Sequence, residues 1–425
     1  MIWKTGPTRV STDMSSDQAS VSSLLTGTRP PLWLLMMLAA SSGMSLLLFL
    51  PALPVMVSDF GVGLGTIQWV ITGYLLAVGA MQLVIGPAVD RLGRRTVLLA
   101  SVICFTLVSL FALSVERVEV LILCRVLQGA SVSAMSVVSR AVVHDVFHGV
   151  EAARAMSFIT IGIQVPGFVA PILGGLLTYY LGWETLFVFL AGYGGLLLAL
   201  VFSLLPETVV KREATAHRGI HKALEILRDY LSLLGSLHFT AHVVMVALCA
   251  SAAMTMNTVL PSALTELGLS PDLIGYFTSA NAIAAIGGAI LSAQLVARTG
   301  VNRLIVTSLG VAVCFVTAYL LYTRALPYSI LNLFVLFMVV SACQAIVISM
   351  GFAEALRVND HLRGLASGLA GSGTSIITAS LAGIAAGLYA IGLVWSLTMV
   401  LTCYLAGLLI ALLLRYRSLL VPVSS

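Results

Sequence analysis

Charge is what this chain has least of. Asp, Glu, Lys and Arg make up 9% of its 425 residues, against 59% for the apolar types, and the mean hydropathy is +1.06. A soluble domain carries roughly 25% charged residues, and a water-facing surface cannot be covered with so few. That excludes a soluble enzyme, and it excludes a disordered chain, which needs the opposite composition. The basic excess is also small. A formal charge of +5, with arginines and lysines scattered between apolar runs, excludes a nucleic-acid binder. Cysteine patterning is missing too. Cys104, Cys124, Cys249, Cys314, Cys343 and Cys403 sit singly inside apolar runs with no CxxC. They read as small packing residues, so neither a disulfide framework nor a thiolate metal site is expected. No GxxxxGK[ST] loop stands ready for nucleotide-driven work, and no nucleophile or metal constellation is visible in the loops. No enzymatic activity and no cofactor are expected.

What the chain does have is long apolar runs broken by short charged connections, the mark of an all-α integral membrane protein. Twelve runs are long enough to span a bilayer: 32–57, 66–88, 96–114, 119–143, 155–181, 184–205, 240–265, 272–297, 304–322, 329–352, 364–389 and 394–414. Residues 1–31 are polar and Ser/Thr-rich and read as a cytoplasmic tail, as do residues 415–425. The longest connection, 206–239, divides the spans six and six, giving an N-terminal bundle over 32–205 and a C-terminal one over 240–414. Within it Leu224, Leu227 and Leu231 share one helical face, the pattern of an interfacial helix.

Nineteen of the 22 lysines and arginines lie in the terminal segments, in the even-numbered connections or, for Arg140, at the span end that borders one. Only Arg117 and Arg324 lie in the odd-numbered ones, and Arg125 lies inside a span. By the positive-inside rule both termini are expected in the cytoplasm of a cell with the protein in its inner (plasma) membrane. Trp69, Trp183 and Trp395 fall at the opposite boundary, where an aromatic belt is expected.

The two halves echo each other. Leu53-Pro54 and Asp59-Phe60-Gly61 match Leu260-Pro261 and Glu266-Leu267-Gly268 at an offset of 207. Asp90-Arg91-Leu92-Gly93 meets Ala297-Arg298-Thr299-Gly300 at the same offset, and Arg154 meets Arg363 at 209. A duplicated six-helix unit has parallel copies related by an axis along the membrane normal, an arrangement that binds cargo between its halves.

Three strings carry chemistry. After span two comes Gly86-Pro87-Ala88-Val89-Asp90-Arg91-Leu92-Gly93-Arg94-Arg95, with glycines for a tight turn and Asp90 near basic groups. Span four carries Arg125-Val126-Leu127-Gln128-Gly129. A charge at that depth is costly and faces the bundle interior unless it snorkels to the surface. Span five carries Pro166-Gly167-Phe168-Val169-Ala170-Pro171-Ile172-Leu173-Gly174-Gly175, whose small residues allow close helix contact and whose prolines bend the helix.

These strings resemble the signature motifs of the major facilitator superfamily. Phe49-Leu50-Pro51-Ala52-Leu53-Pro54, Arg140-Ala141-Val142-Val143-His144-Asp145 and Glu151-Ala152-Ala153-Arg154 are similar to its bicyclomycin/chloramphenicol-resistance branch of drug:proton antiporters. The resemblance implies the major facilitator fold, export of small amphipathic molecules, and a proton as coupling partner. It implies a conformational latch in Gly86, Asp90, Arg91, Gly93, Arg94 and Arg95, and a coupling role for Arg125. It also implies an antiporter motif in Pro166, Gly167, Pro171, Gly174 and Gly175.

One position departs from that branch. An aspartate is usual in span one, four residues before the first proline; here Leu47 stands there. All seventeen acids lie in loops or near span ends, and all seven histidines lie on the side of the termini. Proton coupling then falls to Asp59 or Glu266 at one face, to Asp90, Asp145 or Glu354 at the other, or to the cargo. Dedicated export of an endogenous metabolite, uniport, and a sensor that moves nothing are the competing readings.

Polar groups within spans, Tyr74, Gln164, Asn257, Asn281 and Gln344, with Met135 and Met254, are the candidate pocket residues. Histidine pairs 144/148, 217/221 and 238/242 have the i,i+4 spacing that holds a metal on a helix face, but no partnering carboxylate or cysteine motif accompanies them, so no metal is expected. The expected partners are a small-molecule substrate, a proton and the lipid bilayer, with the chain acting as a monomer.

Overall fold

The computed structural model describes residues 29–147, 149–205, 219–357 and 363–420. The surroundings of Gly86, the side chains of Asp90, Arg91, His144, His221 and Leu224, and all of His148 and His217, lie outside the described set. Fifteen α-helices and no strand are present among the described residues. In the first half they are α1 (Leu32–Leu47), α2 (Leu53–Phe60), α3 (Leu64–Ile67), α4 (Trp69–Leu92), α5 (Arg94–Phe111), α6 (Val118–Val146), α7 (Gly149–Leu181) and α8 (Thr185–Leu204). The connecting helix is α9 (Gly219–Gly235). The second half has α10 (Leu237–Glu266), α11 (Pro271–Thr299), α12 (Val301–Ala325), α13 (Ile330–Ala355), α14 (Arg363–Tyr389) and α15 (Leu393–Leu420). Twelve spans result, with α1–α2 forming the first and α3–α4 the second.

Span one is not the unbroken run that its hydropathy suggests. Pro51 and Pro54 each lack an N–H donor, and around Pro51 the chain tightens into a 3-10 turn at Leu50–Ala52 before α2 begins with Pro54 in its first turn. Pro166 and Pro171 remain inside α7, and Pro261 inside α10. The connection also ends sooner than expected. Ser236 caps α10 by accepting from the Phe239 N–H, so the seventh span starts at Leu237.

The repeat is written into the backbone. Among the described residues all six with positive φ are glycines, and they pair across the halves: Gly61 (63°) with Gly268 (84°), Gly93 (91°) with Gly300 (78°), Gly182 (88°) with Gly392 (141°). At the first pair the helix ends identically, with Val62 N–H bonded to Val57 O at 3.2 Å and Leu269 N–H to Leu264 O at 3.0 Å. That is a Schellman ending, which needs a left-handed residue that only glycine adopts cheaply. Each half has its own apolar core, the first around Leu34, Phe49, Phe105 and Phe187, the second around Met256, Phe337, Val340 and Tyr404.

The halves meet along two helix pairs, α7 with α11 and α4 with α14, and through α2 and α3 against α10 and α14. Without a hydrophobic force between helices in lipid, close backbone packing carries such contacts. The residues at the seam are accordingly small: a Cβ on Gly65 would sit 3.5 Å from Gly387 Cα, and one on Gly383 would sit 3.1 Å from Thr72 Oγ1.

Candidate functional site: a buried arginine and a glycine seam

Arg125 lies in the second turn of α6 and is fully buried. Snorkelling is excluded. Its Nε donates to Val70 O at 3.3 Å, Nη2 to Ser45 O at 2.8 Å, and Nη1 to Ser45 Oγ at 3.1 Å and Gln128 Oε1 at 2.8 Å. Two aromatic faces complete the cage: the guanidinium carbon is 4.3 Å from the Phe49 ring centre and 4.5 Å from that of Tyr74. A buried guanidinium is tolerable only when its donors are satisfied and its planar faces are covered. Here carbonyl dipoles and π-faces meet those needs. No carboxylate pairs with it among the described residues.

The local sequence builds the cage. Gln128, one turn on, turns its oxygen to Arg125 and donates Nε2 to Ser109 Oγ at 2.8 Å, tying α6 to α5. Gly129 brings α6 against α4, because any Cβ there would run into Tyr74 O. Tyr74, a pocket candidate by sequence, faces Arg125 in this structure. It is fully buried, stacks on Arg125, and donates its hydroxyl to Ser42 O at 2.8 Å. Met135 is likewise fully buried in the first-half core. Ser45 and Phe49, which sequence reasoning passed over, are fully buried and face Arg125; their i,i+4 spacing was the available signal. Leu47, between them, is half-buried and rotated away around the helix. The leucine at the expected acid position thus leaves the arginine's own contacts complete.

The proline–glycine string of α7 packs on two sides. Pro166 meets Gly43 of α1, whose Cβ would sit 3.0 Å from Pro166 Cβ, and Gly174 abuts Leu48 O. On the other side Gly175 abuts Pro271 O, Gly275 abuts Pro171 O, and a Cβ on Gly167 would sit 3.7 Å from Ala282 Cβ. Ser279 Oγ donates across the seam to Phe168 O at 2.8 Å. One helix is thus wedged between its own bundle and the other.

The two expected outer-face acids have different roles. Asp59 accepts from Trp183 Nε1 at 2.8 Å, within the first half. Trp183 is buried against Phe60 and Phe187 and is not a belt residue, whereas Trp69 and Trp395 are exposed. Glu266 accepts from the hydroxyls of Tyr328 and Tyr389, both at 2.7 Å, joining α10, the α12–α13 connection and α14. Burial, with the Glu266 carboxylate beside it, pushes the Tyr328 hydroxyl up to about 12.

Within the loop after span two, Gly93 has the strained backbone that its glycine allows. Arg94 Nε pairs with Asp145 Oδ2 at 3.0 Å and its Nη1 donates to Val89 O at 3.1 Å. Arg95 Nη2 donates to Phe202 O at 2.8 Å. All three contacts lie inside the first half. Of the remaining pocket candidates, Gln164 is exposed on α7 and Asn281 is half-buried on α11 with Oδ1 unpaired; the seam contact of Gly167 with Ala282 brings these neighbourhoods together. Asn257 donates to Ala253 O of its own helix at 2.9 Å, Gln344 is half-buried on α13, and Met254 packs at the seam with the first-half core.

Twelve spans in two repeated bundles, joined at a small-residue seam, define a membrane transporter of the two-bundle kind. The family model of the Major Facilitator Superfamily matches residues 35–353, and the chain belongs to that family. An uncharacterized MFS-type transporter, YdgK, of Bacillus subtilis (strain 168) is 27% identical over 345 residues, covering 80% of this chain and 84% of the relative. A chloramphenicol resistance protein of Pseudomonas aeruginosa is 38% identical over 180 residues, 42% of each chain. A bacterial homologue of the human lysosomal transporter Spinster, in an inward-facing and occupied conformation, superposes with a TM-score of 0.72 at 15% identity, covering 90% of this chain and 95% of that one.

Proposed function

We propose that this protein exports small amphipathic compounds, drug-like molecules among them, by alternating access in antiport with protons. Both termini face the cytoplasm of a cell whose inner membrane holds the chain as a monomer. The observation that carries this reading is the placement of the α7 string. Its glycines contact α1 and α11 at backbone distance, so sliding of one half on the other is felt first there. The likeness to a chloramphenicol resistance protein supports drug-like cargo. Gln164, Asn281, Asn257 and Gln344 supply the few polar anchors that an apolar pocket needs. The test is expression in a host lacking its own pumps, challenged with a panel of amphipathic antibiotics. Raised resistance, with cargo accumulation in proteoliposomes that follows an imposed pH gradient, is the expected result. Unchanged resistance across the panel counts against it.

A second reading has its own observation. Among the described residues no acid touches Arg125, and the sequence has none at mid-span, which favours export of one endogenous metabolite without proton coupling, or uniport. Transport that ignores the pH gradient while moving a single native compound would select it. For coupling, Asp59 and Glu266 are the candidates; gradient-driven transport that survives Asp59→Asn with Glu266→Gln removes both.

A further inference from the structure

The terminus-side end of the second half gathers three metal-ligating groups that the helical spacing alone left incomplete. His238 and His242 stand one turn apart at the start of α10, and Glu354 comes to them from the end of α13. One ligand atom from each lies within 4.8 Å of the other two. We propose that His238, His242 and Glu354 form a binding site for a divalent transition-metal ion of the zinc class, tying α10 to α13.

Several features prepare the site. His242 is buried, and its Nδ1 lies 2.7 Å from His238 O. An N–H there fixes the ring and leaves Nε2 as the free lone pair, the arrangement that metal-binding histidines use. The Glu354 side chain is only 12% exposed. His238 Nε2 faces the Glu354 main-chain oxygen at 3.1 Å and Oε2 at 3.9 Å, so a small rotation of this half-exposed ring turns it from carbonyl to carboxylate. Ligand atoms around a tetrahedral zinc are about 3.3 Å apart at ordinary bond lengths, so closure requires movements of about 1.5 Å or less. Two imidazoles and a carboxylate suit zinc, and three protein ligands leave a fourth position for water.

The repeat explains why a cation belongs there. Asp145 and Glu354 are related by the same 209-residue offset as Arg154 and Arg363. In the first half Asp145 is paired with Arg94, the residue after Gly93. In the second half the residue after Gly300 is Val301, and that arginine is gone. The histidines are new at the same time: 207 residues before them stand Pro31 and Leu35. Glu354 has instead Arg357 Nη1, at 3.2 and 3.3 Å from its two oxygens, on a side chain that is 73% exposed and free to swing out. Arg357 is thus a competitor for the carboxylate that a bound ion would displace.

The test uses the full chain without a polyhistidine tag, purified in detergent and stripped with a chelator. Titration with Zn2+ is expected to show one saturable ion per chain, and Co2+ in its place is expected to give the visible absorption of a tetrahedral site. His242→Gln and Glu354→Gln should each weaken binding at least ten-fold while size-exclusion profile and helix content stay unchanged. His238→Ala should do the same, and because His238 is half-exposed it is the variant whose folding is safest. Arg357→Ala should tighten binding several-fold, which a merely structural cluster would not show. Absence of saturable Zn2+ binding, or binding unaltered in the His238, His242 and Glu354 variants, overturns the proposal.

Discussion

The two halves of this transporter share a backbone and differ in what they bury. In the first, a charged and polar web runs through the helices: Arg125, Gln128, Ser45 and Ser109 are all fully buried. In the second, α13 has no basic residue at all, and the equivalent interior is filled by Phe337, Tyr404 and the cysteines 249, 343 and 403. The glycine turns are the same in both halves, down to the bonds that end α2 and α10. Duplication therefore fixed the path of the chain, while the interiors diverged. A buried polar web is costly unless complete, and it holds one arrangement of helices in place. An apolar interior tolerates exchange of side chains of similar volume. The first half is read as the rigid, chemically specified partner and the second as the more adaptable one.

That contrast can be broken most severely at Arg125. Arg125→Ala leaves Val70 O, Ser45 O and Gln128 Oε1 without their donor, at about 1–3 kcal/mol for each buried group. A loss of about 3 kcal/mol or more is expected, read as a fall of roughly 5 °C in the thermal midpoint in detergent, with transport reduced at least ten-fold. Phe337→Ala in the second half should cost a similar 3–5 kcal/mol through its cavity but spare more of the transport rate. Arg125→Met separates the arginine's charge from its bulk: normal transport in that variant would make the cage structural only.

The seam comes next. In Gly175→Ala a methyl group meets Pro271 O, so α7 and α11 must part; about 1–3 kcal/mol is the usual cost of such overpacking. Transport should fall about ten-fold, and a cysteine placed beside Asp272 should react faster with a polar thiol reagent. Unchanged reactivity would mean that the halves do not close there.

Smaller effects distinguish Asp59 and Glu266. Glu266→Gln weakens two hydrogen bonds that tie three elements together, and Asp59→Asn weakens one. Bonds to charged groups contribute about 1.5–3 kcal/mol apiece, so the glutamate variant should lose roughly twice the stability of the aspartate one. Equal losses would erase the asymmetry. In Asp59→Asn the change should appear instead in the Trp183 fluorescence.

The smallest effect is a pH dependence. Folding raises Tyr328 from about 10 to about 12 through burial and the neighbouring Glu266. A raised value means that the neutral phenol is favoured in the folded protein. Its contribution is therefore present below pH 10 and is lost as the pH climbs toward 12. Melting curves across that window should show a slope that Glu266→Gln flattens.

Much of this was legible in the residues. Apolar runs of twenty or more residues reveal spans because a helix satisfies its backbone groups within its own segment, as lipid demands. The glycines at 61, 93, 268 and 300 announced the repeat before their torsions did. The cage around Arg125 was half legible: Gln128 and Gly129 stood in its string, but Ser45, Phe49 and Tyr74 come from other helices. Trp183 misled, since tryptophan at a span end suits either a lipid belt or a buried donor, and only the carboxylate of Asp59 decides between them.

Sequence alone determined the class, the number of spans, the duplication and the place of the Arg125 charge, because those follow from composition, length and periodicity along the chain. Which groups meet was decided only by the tertiary structure. Arg125 has dipoles and rings for partners and no acid among the described residues, α7 is shared between two bundles, and Glu354 arrives beside His238 and His242 from 112 residues away in the chain. Spacing on one helix constrains that helix's own faces. It says nothing about which face of which other helix will cover them, and in lipid that choice is made by small residues packing backbone against backbone.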